Sequence, residues 1–154
     1  MIHRIITTFF GLGYSPIAPG TFGAGGGILV FYILYLLEVG PIYLNSTLII
    51  LIILFFFLGI HSTNKLIPIW GKDPSKVVVD ETIGQWITLL CIPYGNHWYV
   101  LLAFILFRFF DISKILGIRK FERLHGGLGV MMDDVVAGIY GAIILQIIIK
   151  FELF

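Results

Sequence analysis

Thr47-Leu-Ile-Ile-Leu-Ile-Ile-Leu-Phe-Phe-Phe-Leu58 is apolar without interruption from Leu48 onward, and the hydrophobic segment around it runs from about Thr47 to Leu66. A helix needs about 20 such residues to cross the hydrocarbon core of a bilayer, so this stretch reads as a membrane span. Outward from it the pattern repeats. Toward the N-terminus, a span from about Thr21 to Leu37 opens on the glycine-rich run Gly23 to Gly27 and stops at Glu38 and Gly40-Pro41. Toward the C-terminus, Val77 to Ile92 and Trp98 to Phe110 flank the breaker Pro93-Tyr-Gly-Asn96, and a last span runs from about Val135 to Leu153. The two middle arms are short, so they either cross a locally thinned bilayer or form a re-entrant pair. The expectation is an all-α fold, a polytopic integral membrane protein of about four to five embedded helices, with residues 1–154 in a single domain.

Composition agrees. Of 154 residues 58% are hydrophobic and 12% charged, with a mean hydropathy of +1.01, whereas a soluble domain is about one quarter charged. The 14 Phe and 7 Tyr exclude a disordered chain. A net charge of +1 gives no global attraction to nucleic acid, and none is expected as a partner. The one cysteine, Cys91, excludes an intrachain disulfide or a cysteine-based metal cluster. Its neighbours Leu89, Leu90 and Ile92 predict a buried packing thiol. Met1 to Phe10 imitates a secretory signal, but Gly11 and Gly13 interrupt it and no small-x-small cleavage site follows, so it reads as a retained short helix in the membrane interface.

Lys and Arg concentrate in cytoplasmic loops. Connector 62–76 carries Lys65, Lys72 and Lys76, connector 112–124 carries Lys114, Arg119, Lys120 and Arg123, and Arg4 precedes the first span. Loops 38–46 and 93–97 carry neither residue type, so the N-terminus and both basic connectors are expected in the cytoplasm; Lys150 goes against the pattern. Asn45-Ser-Thr47 matches a glycosylation sequon, but an N-cap for the second span is the better reading.

The acids carry the chemical signal. Asp80 and Glu81 stand near the head of the third segment, Asp111 at the tail of the fourth, and Asp133 and Asp134 at the head of the fifth, all on the cytoplasmic side in this topology. Single acids at span ends are commonly solvated markers of the interface. Two adjacent pairs and a fifth residue instead require neutralisation, which a hard divalent cation with oxygen ligands, Mg²⁺ by default, supplies. Arg108 and Lys114 flank Asp111 at i−3 and i+3, on one face if the helix continues. Arg119, Arg123 and His125 follow; the alternative for Arg119, Lys120 and Arg123 is a solvated face drawn to anionic lipid. Ser15-Pro-Ile-Ala-Pro-Gly-Thr-Phe-Gly23 ends at a helix start, where free N–H groups beside Thr21 suit an anion. The plainer version, favoured by spacing alone, is a helix start whose Gly23 and Gly27 permit close packing. His125-Gly-Gly-Leu-Gly129 lets backbone approach a ligand or metal closely.

Four blocks in this order carry a family resemblance: Ser15 to Gly23; Val79-Asp-Glu-Thr-Ile-Gly-Gln-Trp86; Phe107-Arg-Phe-Phe-Asp-Ile-Ser-Lys114; and His125-Gly-Gly-Leu-Gly-Val-Met-Met-Asp-Asp-Val-Val-Ala-Gly138. They resemble the phosphatidylglycerophosphatase A family over most of the chain, the last block being the most specific. The resemblance implies a Mg²⁺-dependent phosphatase of the bacterial inner membrane, acting on phosphatidylglycerophosphate at the cytoplasmic side. It departs from the family pattern at Ala24, at Gln85 and in Ile115 to Ile118, and none of these removes a carboxylate. On this reading Asp80, Glu81, Asp111, Asp133 and Asp134 form the catalytic site, with Asp80, Glu81, Asp133 and Asp134 holding metal. Arg108, Lys114, His125, Arg119, Arg123 and Thr21 would bind substrate phosphate. Another lipid phosphate, such as phosphatidic acid or a prenyl phosphate, is the enzymatic alternative. A divalent-cation channel or carrier is the alternative from another class, although the outer halves of the spans offer only Thr88 and Gln146 as polar groups. Glycines such as Gly138 and Gly141 suit packing within one chain and between two, so oligomeric state stays open.

Overall fold

The computed structural model describes residues 1–71 and 74–151; Lys72 of the basic connector and Leu153, the expected end of the last span, lie outside them. Among the described residues six α-helices follow in order: α1 (Ile2–Thr7), α2 (Pro19–Leu36), α3 (Pro41–Trp70), α4 (Val79–Thr88), α5 (His97–Ser113) and α6 (Gly127–Lys150). A 3-10 turn, Leu12–Tyr14, leads into α2, and another, Ile118–Arg123, links α5 to α6. Among the described residues, three helices, α2, α3 and α6, are long and apolar enough to cross a membrane. The expected segments therefore exist, but four or five full spans do not follow from helix length. At 1.5 Å per residue, α4 is only about 15 Å long, half of a bilayer core.

The short third segment is the centre of the bundle. α4 packs against α2, α3, α5 and α6, and Asp80, Thr82, Ile83, Gly84, Gln85, Trp86 and Thr88 are all buried. Its sides bond to its neighbours' backbones. Thr82 Oγ1 donates to the Gly23 carbonyl at 2.9 Å and Trp86 Nε1 to that of Gly27 at 3.0 Å. Thr88 Oγ1 donates to the carbonyls of Gly84 and Gly138 at 3.0 and 3.2 Å. The packing role expected of Gly23 and Gly27 is thus realised. The Gly84–Gly138 crossing of α4 and α6 is so close that a Cβ on Gly138 would lie 2.5 Å from the Gly84 carbonyl oxygen.

Two expectations at the opposite end of α4 are corrected. Asn45 is not an N-cap, because α3 begins at Pro41 with Gly40 as its cap. From inside the helix, Asn45 Oδ1 accepts the Cys91 N–H at 2.7 Å. Gln146 Nε2 of α6 donates to the carbonyls of Leu90 and Cys91 at 3.1 and 3.2 Å. Cys91 is exposed, not a buried packing thiol, because the chain turns there through a positive φ of 60°. The last span also starts earlier than expected, at Gly127 instead of Val135, with the Gly127 N–H donating to Asn64 Oδ1 at 2.7 Å. Asp133 and Asp134 are therefore about two turns inside α6, not at its head.

Gly138→Val would push a branched side chain into the Gly84 carbonyl, and is expected to lower the stability of the detergent-solubilised protein by about 1–3 kcal/mol, the range for overpacking. Gly25→Ala, where an added Cβ meets nothing within 4 Å, should leave it unchanged. Thermal unfolding followed by tryptophan fluorescence compares them, and equal melting of the two would refute the close-approach account.

Candidate active site

Three helix segments meet around a cavity of about 410 Å³ at one end of the bundle. The first turn of α4 brings Asp80 and Glu81, where the positive end of the helix dipole favours carboxylates. The last two turns of α5 bring Arg108 and Asp111, and α6 brings Asp133 and Asp134. All five sequence-predicted acids line the cavity, together with Lys114 and Glu122. The four aspartates retain only 4–9% of their accessible surface.

Their partners divide the acids into two groups. Arg108 pairs with Asp111, and Lys114 pairs with Glu122 and, at 2.6 Å, with Asp133. No salt bridge reaches Asp80, Glu81 or Asp134 among the described residues. These three each offer a carboxylate oxygen within 4.8 Å of the others'. Glu81 Oε2 and Asp133 Oδ1 are buried with no hydrogen-bond partner. Three converging carboxylates without a salt-bridge partner, one of them with an orphaned oxygen, have the donor set that a hard divalent cation takes. Asp133, the fourth sequence-predicted metal ligand, stands beside this trio with one oxygen committed to Lys114.

Lys114 does not continue the helix that carries Arg108 and Asp111. It caps α5 in the left-handed conformation, φ 48° and ψ 38°, which turns the chain and delivers its ammonium between Asp133 and Glu122. Burial works against the charge, but the hydrogen bonds to Asp133 and Glu122 outweigh it and hold the pKa above the ordinary lysine value. At the other side, Gly20 of α2 lies against the Glu81 carboxylate, and a Cβ there would also stand 3.1 Å from Arg108 Nη1. The anionic group beside the start of α2 is thus the chain's own Glu81.

Of the six sequence-predicted phosphate ligands only Lys114 is brought to the cavity wall; Arg108 reaches its edge through Asp111 without lining it. Arg119, Arg123 and His125 are exposed in and after the 3-10 connector, and none of them lines the cavity. Thr21 is exposed and lines a separate apolar groove between α2 and α5. The residue that sequence reasoning missed is Glu122, whose only signal was a lone acid inside a basic connector.

The fold and the cavity define a helical membrane protein with a buried carboxylate centre at one end. The profile of the family phosphatidylglycerophosphatase A matches residues 5–149, so the chain belongs to that family and is a phosphatase. It is 39% identical to phosphatidylglycerophosphatase A of Escherichia coli over 94% of this chain and 82% of that protein. It is 40% identical to the Haemophilus influenzae protein of the same name over 94% and 86% of the two chains. A Bacteroides thetaiotaomicron protein named "Putative phosphatidylinositol-3-phosphatase" is 50% identical over 93% of this chain and 91% of that one. No solved structure matches.

Two outcomes are expected. Mn²⁺ binding read by electron paramagnetic resonance should weaken about tenfold or more in Asp80→Asn, Glu81→Gln and Asp134→Asn; unchanged affinity in all three would exclude them as ligands. A lysine pKa raised in the folded state means that the charged form persists, and its contribution to stability is lost only as pH rises through the raised value. Lys114→Met should therefore lower kcat/KM by a similar factor from about pH 6 to about pH 9, a range in which Lys114 does not titrate. A shifted alkaline limb would contradict this.

Proposed function

We propose that this protein removes the terminal phosphate of phosphatidylglycerophosphate, yielding phosphatidylglycerol and inorganic phosphate, at a Mg²⁺-dependent site on the cytoplasmic face of the bacterial inner membrane. The observation that carries the reading is the convergence of Asp80, Glu81 and Asp134 beside the Lys114–Asp133 pair in a chain of this family. Their oxygens would hold the cation, which when bound supplies electrostatic stabilisation of charge on the phosphoryl oxygens.

The chain's own groups account for the remainder. Lys114, fixed from two sides by Glu122 and Asp133, presents a permanent positive charge to a phosphate in the cavity. Asp133 spends Oδ2 on Lys114 and keeps Oδ1 free, which suits it to accept the proton of an attacking water. The water oxygen bonds to phosphorus and keeps its other hydrogen, the bond from phosphorus to the glycerol oxygen breaks, and that oxygen leaves with the proton that Asp133 accepted. Arg108, held on Asp111, lies at the edge nearest α2, where it can meet a second anionic group of the headgroup. Arg119, Arg123 and His125 would act in approach to the anionic membrane surface and not in the cavity.

The orientation rests on charge. Arg4 and Lys76 both stand over the Trp70 ring, at 5.8 and 5.9 Å. They share the end of the bundle that carries Asp80, since the Thr7 carbonyl accepts the Val78 N–H at 2.8 Å. That end is expected in the cytoplasm. A second reading, hydrolysis of a phosphoinositide, rests on the name of the Bacteroides relative. It uses the same cavity and differs only in the headgroup.

Phosphate release by purified protein from phosphatidylglycerophosphate, phosphatidylinositol 3-phosphate and phosphatidic acid, with Mg²⁺ and with chelator, tests both readings. Fastest release from the first lipid, abolished by chelator and reduced about a hundredfold or more in Asp80→Asn and Asp133→Asn, is the expected result. Preference for the inositol lipid would replace the substrate, and full activity in chelator would remove the metal.

A further inference from the structure

A second cavity, of about 580 Å³, runs between α2 and α5, and its walls include Gly25, Leu29, Leu101 and Phe104. α5 packs chiefly on α6 and α2 on α4, which leaves this channel between them. Gly25 deepens it, because an added Cβ there meets nothing within 4 Å. Along α2 the channel extends from Thr21 to Tyr32, about 16 Å at 1.5 Å per residue. That is the depth of one leaflet, half of a hydrocarbon core of about 30 Å. At its far end Tyr32 Oη and His97 Nδ1 lie 3.2 Å apart and form a polar stop.

The near end lies beside the charged site. Thr21 adjoins Gly20, which touches Glu81 and approaches Arg108, and Phe104 lies one helical turn before Arg108 on α5. Arg108 Nη1 is held by Asp111, while its Nε is buried with no partner. An apolar channel of leaflet depth beside a guanidinium with a spare donor has the profile of one phospholipid chain with its phosphodiester. We infer that the α2–α5 groove is the acyl-chain subsite of the enzyme, holding one chain of the phospholipid under attack while Arg108 Nε receives that lipid's internal phosphate. This rests on the proposed lipid-phosphatase activity and adds to it the determinant of chain recognition. It makes the protein selective for long-chain substrates at the binding step, and not only for the headgroup.

Two groove-filling variants, Gly25→Phe and Leu29→Trp, and one control, Ile53→Phe on the exposed face of α3, test it. With substrate in mixed micelles, the ratio of kcat/KM for dioleoyl- over dihexanoyl-phosphatidylglycerophosphate should fall about tenfold in both filling variants, chiefly through KM, and stay unchanged in the control. Equal loss on both substrates, or no loss on either, would overturn the groove. An independent readout needs no turnover. Phosphatidylglycerophosphate with a diazirine in one acyl chain, photolysed in place, should label residues 21–32 and 97–104 in the wild-type chain, and Gly25→Phe should abolish that labelling. Uniform labelling of all lipid-facing helices, or replacement of lipid labels by cross-links to a second copy, would reject the assignment. If the wild-type chain hydrolyses neither substrate, the activity fails while the labelling pattern still decides the groove.

Discussion

A ten-residue helix that ends at membrane depth must have its free backbone groups satisfied by protein, because no water is there to do it. Everything around α4 answers that requirement. At its start the Val78 N–H bonds to the Thr7 carbonyl of the N-terminal helix. Beyond its end, Asn45 of α3 and Gln146 of α6 take the polar groups of Leu90 and Cys91. Along its sides Thr82, Trp86 and Thr88 bond to the backbones of α2 and α6. Such contacts need close helix approach, and that explains glycine at 23, 27 and 138. The outcome for function is positional. With α4 anchored at both ends, Asp80 and Glu81 cannot slide along the bundle axis.

The same anchoring concentrates charge. Among the described residues, six carboxylates and two cations line or border one cavity, an imbalance that no folded membrane protein sustains with every group ionised and uncompensated. The two cations take Asp111, Asp133 and Glu122, and the surplus falls on the trio of Asp80, Glu81 and Asp134. Lys114 holds a left-handed backbone conformation that costs a non-glycine residue about 1 kcal/mol or more. Its two ion pairs compensate that strain, so the bend after α5 and the electrostatics of the cavity depend on each other.

The long spans were legible because crossing a bilayer is a local requirement on length and apolarity, met by Thr21–Leu37 and by the run after Thr47. The five acids were legible for a related reason: carboxylates at span boundaries are too expensive to be incidental, and topology alone puts them on one side. The start of α6 was not legible. Gly126, Gly127 and Gly129 read as a loop from their low helix propensity, yet α3 packs against Gly127, where a Cβ would lie 2.5 Å from the Ile60 carbonyl oxygen. Asn45, Gln146 and Cys91 depend on partners distant in sequence, which no local pattern encodes. In the connector, whether Glu122 or Arg123 turns inward depends on the path of the chain after Lys114. Periodicity does not reach across a left-handed bend.

Arg108 connects the two chemical environments. One turn before it, at Phe104, α5 faces an apolar groove, and one turn after it, at Asp111, the same helix faces the carboxylate cavity. The change from hydrocarbon to charge therefore takes place over about 11 Å of helix. A phospholipid makes the same transition between its acyl chains and its headgroup phosphates. A soluble phosphate ester has no apolar part to fill the groove and would reach the cavity without that alignment. An enzyme with this boundary orients a lipid by where its polarity changes, before any single phosphate contact is made.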